Sequence, residues 1–324
     1  MKKKLLILAQ EGDISITEII DWFEYYNLTY IFIIDKNTDV KFNNQTISND
    51  DITLSLTIDN EIISTENIEL FFWRRGRLDN IFPNFILENA EIKKHISNNY
   101  NKLHEYVLYQ LGLKNIFEDY SKSLPNKLIN LMLANKFGLL IPDTLITSKK
   151  IDVLHFFNKH KKIISKPLEE IIDFSAGNKN YYTITELVSI VDIEKMPDVF
   201  IDTMFQKYIE KKFEIRIFYY YKKFFSMAMF SQSDENRLVD FREISSKTIR
   251  EIPFKISEDF EIKIINLMNK IGLNAGSIDL IYTPDNRLIF LEVNPVGQFG
   301  MVSKPCNYYI EKHIAQCTIE KIKT

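Results

Sequence analysis

Cysteine, glycine and long apolar runs are all in short supply along these 324 residues. The 2 cysteines, Cys306 and Cys317, cannot build a disulfide framework, and the chain has neither a CxxC pair nor an HExxH segment to hold zinc. Two reduced thiols fit a cytoplasmic protein. Of the 9 glycines only Gly12 falls at the first strand-to-helix turn, so a dinucleotide-binding fingerprint is not met. No stretch approaches the ~20 apolar residues that a membrane span needs. The opening MKKKLLILA imitates a signal peptide, but its apolar run is too short and Gln10-Glu11-Gly12-Asp13 ends it. Neither sign of charge is in excess: 41 basic and 44 acidic residues leave a net −3, which points to neither nucleic acid nor a membrane surface as partner. Internal repeats and low-complexity linkers are missing as well.

What remains is strongly apolar. Hydrophobic residues make up 45% of the chain, which excludes a largely disordered protein. The length exceeds one ordinary core, so two or three packed modules are expected. Residues 276–300, GSIDLIYTPDNRLIFLEVNPVGQFG, carry the strongest local signal. Two apolar runs flank a Thr-Pro-Asp-Asn turn, which predicts a β-hairpin. Period-2 alternation puts Leu288, Phe290, Glu292 and Asn294 on one face. A turn centred on Asp285-Asn286 sets Asp279 opposite Glu292, with Asn294 beside it. An odd-length loop would shift that register. Two carboxylates directly opposite repel each other. A divalent cation between them removes the penalty, and an Asp/Glu/Asn oxygen set suits Mg²⁺. The other reading is an exposed hairpin face with solvated charges.

Elsewhere the order of elements predicts an α/β protein. A buried strand over residues 4–9, a helix capped by Asp13 or Ser15 with Ile16, Ile19, Ile20 and Phe23 inward, and a strand over 30–34 make a β-α-β opening. Strands follow at 52–58 and 68–73, then a helix over 88–111 that ends at Gly112. Arg74 and Arg75 put two guanidinium groups at a strand end, either to grip a carboxylate or phosphate or as a surface pair. Pro125 suits the first turn of a helix with Leu128, Leu131, Met132 and Ala134 on its apolar side. Lys127 in that turn opposes the helix dipole, which a bound phosphate would reverse and solvent would only mitigate. A strand over 161–166 closes at Lys166-Pro167. Residues 169–182 have the composition of a mobile loop, and 185–191 read as a short helix. Glu214 and Arg216 share one face of a strand, as site residues or as a cross-strand ion pair. Residues 224–231 return antiparallel, 260–271 form an amphipathic helix ending at Gly272, and 306–319 read as a terminal helix.

Taken together, this ordered series resembles the ATP-grasp superfamily over nearly the whole length. Within it the likeness is to the graspetide (microviridin-type) ligases and the grasp-with-spasm peptide maturases. It is carried by Trp73-Arg74-Arg75, by NKLINLMLANKFGLLIPDTLIT at 126–147, ISKP at 164–167, FQKYIEKKFEIRIF at 205–218 and FLEVNPVGQFG at 290–300. The segment around Gly177 departs from the pattern, being short of glycine.

The resemblance implies an ATP-grasp fold in three parts: an N-terminal α/β domain over 1–118, a central lid domain over 119–204, and a C-terminal domain over 205–324. It implies that Lys127 and Lys166 hold the ATP phosphates. Gln206, Lys207, Tyr208 and Ile209 would form the adenine hinge, and Glu214 would bind ribose. Asp279, Glu292 and Asn294 would ligate Mg²⁺, with Arg216 and Arg242 near the γ-phosphate and the acyl phosphate. The implied activity is ATP-dependent ligation that activates Asp or Glu side chains of a ribosomal precursor peptide and forms intramolecular esters or amides. A ligase that adds free amino acids to a carboxylate would use the same machinery, and a non-catalytic binder on the same fold is a third reading. The resemblance also implies a leader segment bound on the central domain and a homodimer, and no nucleic acid or membrane partner.

Overall fold

Leu5, Leu6, Ile7 and Leu8 are fully buried in β1 (Lys4–Ala9), as an unbroken apolar run should be when both faces of a strand are covered. The computed structural model describes residues 4–28, 31–35, 37–78, 81–83, 88–118, 120–122, 126–168, 173–176, 179–182, 185–231 and 249–323. The chain divides into two compact units: unit 1 is Met1–Leu124, Leu273–Ala275 and Pro295–Thr324, and unit 2 is Pro125–Gly272 and Gly276–Asn294.

In unit 1, β1 leads to α1 (Ile14–Tyr25), capped by the Asp13 carboxylate, which accepts from the Ser15 N–H at 3.0 Å. Ile16, Ile19 and Phe23 are buried, as the periodicity predicted, and Ile20 is half-buried. β2 (Ile31–Ile34) pairs parallel with β1. The chain then forms a separate antiparallel sheet from β3 (Val40–Ile47), β4 (Ile52–Ile58) and β5 (Glu61–Ser64), of which the sequence pattern marked only β4. β6 (Ile68–Arg74) returns to lie parallel on the other side of β1, giving the order β2-β1-β6. α2 (Ala90–Gly112) buries Val107, Leu108 and Leu111. Gly112 is the last helical residue and does not take the left-handed cap conformation that the sequence suggested.

Unit 2 begins with α3 (Lys127–Lys136), capped by Asn126 and closed by Gly138 at φ +78°. Its buried side is Asn130, Leu131, Leu133 and Ala134; Met132, expected inward, is exposed. Pro125 lies outside the described residues. Next come β7 (Thr144–Lys149), α4 (Lys150–His160) and β8 (Ile163–Lys166). The loop expected at 169–182 contains an antiparallel pair, β9 (Asp173–Ala176) and β10 (Lys179–Tyr182). Its Gly177 and Asn178 lie outside the described residues. β11 (Glu186–Val188) and α5 (Ile190–Lys195) replace the single helix expected at 185–191, because Ser189 and Asp192 form a capping box that starts the helix later. With β12 (Val199–Lys207) they complete a sheet ordered β11-β8-β12-β7 around Val153, Ile163, Val188, Ile193 and Phe205.

The second sheet of unit 2 holds β13 (Phe213–Tyr220), β14 (Lys223–Phe230) and β15 (Arg250–Pro253). After α6 (Glu258–Ile271), capped by Ser257 and ended by Gly272, it adds β16 (Ala275–Tyr282) and β17 (Leu288–Asn294), in the order β15-β14-β13-β16-β17. Every residue of β13 is buried.

The chain ends in unit 1 with α7 (Gly300–Cys306) and α8 (Ile310–Lys323), the latter packed on α1. The sequence pattern placed a single terminal helix over 306–319 and did not mark α7. Asn307 and Tyr309 instead adopt left-handed backbone at φ +53° and +51°, which ends one helix before the other begins. Cys306 is buried and Cys317 partly so, both as free thiols. Among the described residues no helix is long and apolar enough to cross a membrane.

One buried ion pair fixes the end of β6. Arg74 is fully buried and donates from Nε to Asp13 Oδ2 at 2.9 Å and from Nη1 to Glu118 Oε1 at 2.5 Å. Nη1 also lies 3.3 Å from the carbonyl oxygens of Val296 and Gly297. This guanidinium therefore grips the protein's own carboxylates. Burial pushes the Glu118 carboxyl from its ordinary 4.5 up to about 7, against the pull of Arg74.

Arg74→Leu strands two buried carboxylates and should destabilise unit 1 by about 3–5 kcal/mol. Both tryptophans, Trp22 and Trp73, lie in unit 1, so urea unfolding followed by tryptophan fluorescence reads this loss. The folded Glu118 keeps a proton that the unfolded chain has lost between pH 4.5 and about 7, so its contribution to stability falls as pH rises through that window. In Glu118→Gln that part of the slope should vanish from the fluorescence midpoints measured between pH 5 and 7.5.

Candidate active site

The hairpin of β16 and β17 places the acidic residues. Its loop, 283–287, is closed by the Thr283 N–H to Arg287 O at 3.0 Å and the Asn286 N–H to Thr283 O at 2.9 Å. Tyr282 pairs with Leu288 and Leu280 with Phe290, so this loop is odd in length. A bulge at Leu291 then restores the register, and Asp279 sits opposite Glu292 and Ser277 opposite Asn294. The bulge overturns one expectation. Phe290 is fully buried, whereas Leu291 lines the same cavity as Glu292, so the 288/290/292/294 face is broken at its middle.

Each carboxylate faces a cation. Arg216 Nη1 lies 3.1 Å and 3.2 Å from the two Asp279 oxygens. Lys166 Nζ lies 2.9 Å from Glu292 Oε2, and Lys127 Nζ is 3.9 Å from the same oxygen while donating to Pro167 O at 3.4 Å. Lys127 is therefore turned inward. Glu214 is buried two residues before Arg216 on β13. It accepts from Lys211 Nζ at 2.9 Å and from the Ser231 hydroxyl at 3.1 Å. Burial raises its pKa, Lys211 and Ser231 oppose the rise, and the Asp279 charge adds to it.

Residues 206–209 form the opposite wall. The Gln206 side chain is buried and donates to Thr144 Oγ1 at 3.0 Å. The Lys207 N–H is taken by Asp143 O at 2.9 Å and the Tyr208 N–H by Lys162 O at 3.0 Å. Among the described residues the Ile209 N–H meets no acceptor. Lys162 Nζ stands 3.8 Å over the Tyr208 ring. Lys166, Gln206, Lys207, Tyr208, Ile209, Glu214, Asp279 and Glu292 line one cavity with the apolar side chains of Ile164, Met229 and Leu280. The cavity is narrow, about 80 Å³, with the acids and cations paired around it.

Eight of the twelve residues singled out in the sequence therefore share this cavity, while Lys127 and Arg216 reach its acids from outside the lining. Asn294 is placed by its pairing with Ser277. Arg242 lies outside the described residues. Sequence reasoning missed Lys211, Ser231 and Thr144. Only Lys211 carried a signal, a basic residue three before an acid that was due to be buried.

The donor set for a cation is two carboxylates and one amide oxygen, all hard ligands. Among the described residues no three His, Cys, Asp or Glu side chains converge anywhere, so a cation here would rest on this pair of carboxylates and the Asn294 amide. Among the same residues the Ser277 hydroxyl and Arg216 Nε are buried without a hydrogen-bond partner, so the face that carries Asp279 and Asn294 holds polar capacity the protein does not itself use.

Neither a protein-family model nor a curated protein matches the sequence. Solved structures do. The chain is similar to a Chryseobacterium gregarium RiPP-associated ATP-grasp ligase in complex with ADP and a leader and core peptide, at TM-score 0.78 and 22% identity over 99% of this chain and 97% of that one. It is similar to the macrocyclase MdnC bound with precursor peptide MdnA from Microcystis aeruginosa MRC, at 0.76 and 23% over 98% and 99%. It is also similar to the ATP-grasp ligase PsnB complexed with minimal precursor, Mg and ADP, at 0.66 and 14% over 99% of both.

Lys211→Met removes the cation that opposes the burial-driven rise of the Glu214 pKa. The Glu214 carboxyl should then titrate at higher pH than in the unaltered protein, as read by carbon-13 NMR of labelled glutamate side chains.

Proposed function

We propose, from an α/β chain with the fold of the ATP-grasp ligases, a Mg²⁺- and ATP-dependent ligase that cross-links the side chains of a ribosomal precursor peptide. The observation that carries this reading is the convergence of Lys127 and Lys166 on Glu292, directly across the hairpin from Asp279 and its partner Arg216. Cations gathered at paired acids suit the phosphates of a nucleotide and the metal that accompanies them. The solved structures of similar fold hold ADP, Mg or precursor peptides, which supports the same ligands here.

Asp279, Glu292 and Asn294 hold Mg²⁺, which neutralises negative charge on the phosphates when bound. Lys127 and Lys166 then turn from Glu292 to phosphate oxygens. The free Ile209 N–H and the carbonyls of 207–209 meet the adenine edge, against Ile164, Met229 and Leu280. Glu214 accepts from the ribose hydroxyls. Arg216, and Arg242 with it, stabilise charge on the transferred phosphoryl group.

The chemistry follows from charge and position. A peptide carboxylate attacks the γ-phosphorus and ADP leaves, which gives an acyl phosphate. A hydroxyl or amine of the same peptide attacks the acyl carbon, phosphate leaves, and the nucleophile gives up its proton. The protein orients the two reactants and supplies fixed positive charge, and exclusion of water protects the acyl phosphate. The reading carries with it the three-part division at 1–118, 119–204 and 205–324, a homodimer and a cytoplasmic location; the resemblance of the sequence supports the first two and its reduced thiols the third.

Incubated with ATP, Mg²⁺ and the peptide encoded beside its gene, the enzyme should lower the peptide mass by one water per link. A mass gain by amino-acid residues would instead mark a ligase of free amino acids. Asp279→Ala and Glu292→Ala should each abolish turnover while leaving the unfolding transition in place. Full activity in both would sink the metal assignment.

A further inference from the structure

Unit 1 holds a feature that the nucleotide chemistry does not use. Its parallel sheet runs β2-β1-β6, so the chain leaves β1 toward one side and later returns to the other. In open α/β sheets the crevice outside the carboxyl ends of the strands at such a reversal is where ligands bind. A cavity of about 620 Å³ lies there, lined by Gln10 and Glu11 after β1, Asp35 and Thr38 after β2, and Arg75 and Arg77 after β6. Its volume falls within the roughly 300–1,000 Å³ of small-ligand sites.

The exit from β6 is built to hold a guanidinium in place. Arg75 has φ +56°, a left-handed conformation that a long side chain rarely adopts. The turn is fixed from three directions. The Gln10 N–H donates to Arg74 O at 3.0 Å, and Trp73 Nε1 donates to Gly76 O at 2.9 Å. A Cβ on Gly76 would stand 2.7 Å from Ala9 N and Leu8 C, so only glycine fits. Arg75 Nε and Nη2 both donate to Val296 O, at 3.1 Å and 2.5 Å. On the other side Asp35 Oδ1 accepts from the Asn37 N–H at 2.8 Å and from the Thr38 hydroxyl at 3.1 Å. Pinned side chains lose little freedom when a ligand arrives.

The lining carries two guanidinium groups and two carboxylates. A simple anion would be attracted to Arg75 and Arg77 and repelled by Glu11 and Asp35; a simple cation would meet the reverse. We propose that this cavity binds a ligand presenting a carboxylate and an ammonium group together, the carboxylate toward Arg75 and Arg77 and the ammonium toward Glu11 and Asp35. Such a pair comes from a peptide with neighbouring acidic and lysine side chains, or from a free α-amino acid. The site stands on unit 1 alone, whether or not unit 2 binds a nucleotide.

The test titrates the full chain, by calorimetry, with acetyl-Glu-Ala-Lys-amide, acetyl-Glu-Ala-Gln-amide and free L-glutamate. The expected result is saturable binding of the first, at least about tenfold weaker binding of the second, and at least about tenfold loss in both Arg77→Ala and Glu11→Gln. Tighter binding of glutamate, lost in the same variants, supports the site and assigns it to an amino acid. Equal binding of the two peptides, binding unmoved by the variants, or no saturable binding of any probe overturns it. Tryptophan fluorescence checks that the variants fold, and ADP with Mg²⁺ titrated into the same samples reads the nucleotide site separately.

Discussion

Two carboxylates set face to face are the constraint around which unit 2 is arranged. Asp279 and Glu292 are direct cross-strand partners, an arrangement that costs energy wherever both stay ionised. Neither is in open solvent; their side chains are 17% and 19% exposed, so water screens the repulsion only partly. The fold answers with cations from three different elements: Arg216 from β13, Lys166 from the end of β8 and Lys127 from the start of α3. The last of these also explains a helix that begins with a lysine against its own dipole. The acid across from that helix end outweighs the few tenths of a kcal/mol that the dipole costs.

The same arrangement decides what the pocket can do. Cations paired with acids exchange partners cheaply when a more highly charged ion of each sign arrives, because no charge is left uncompensated at any stage. In the proposed ligase, phosphates would draw the lysines and a divalent ion would take the acids. Glu214 stands apart from this exchange. Its partners Lys211 and Ser231 come from the turn before β13 and the end of β14, and they keep it fixed as an acceptor. A fixed acceptor suits a neutral hydroxyl better than a phosphate.

The acidic hairpin was legible because alternation and a polar turn are local properties. The pairing of Asp279 with Glu292 followed from the turn centre alone, yet it holds for a reason no local rule contains. The loop is odd in length and a bulge at Leu291 cancels the shift. Glu214 and Arg216 were legible on the same grounds of period-2 spacing. Where the pattern was polar it failed: β3, with the sequence VKFNNQTI, has no apolar alternation strong enough to mark a strand and is held by its pairing with β4. The break between α7 and α8 was missed for a different reason. The terminal helix was expected to start at Cys306, and two left-handed residues that are not glycine, Asn307 and Tyr309, delay it to Ile310. Which cation reaches which acid was beyond any local reading, because Lys127 and Glu292 meet only after the unit has folded.

Two arginines that looked alike in the sequence show why pairing alone does not mark a functional group. Arg74 and Arg216 both stand in buried strands and both meet aspartate. Arg74 is fully buried, with Asp13, Glu118 and two backbone carbonyls around it, and it lines neither of the two cavities described above. Its role is to tie the end of β6 to α1 and to the segment after β17. Arg216 instead meets an acid that lines a cavity; among the described residues each arginine keeps one buried nitrogen without a partner, Nη2 in Arg74 and Nε in Arg216. A buried donor left unmet costs about 1–3 kcal/mol, a cost common to both arginines that does not separate them. The difference between the two lies in what surrounds the pair: for Arg74 the protein's own acids and carbonyls, for Arg216 an acid that opens onto a cavity.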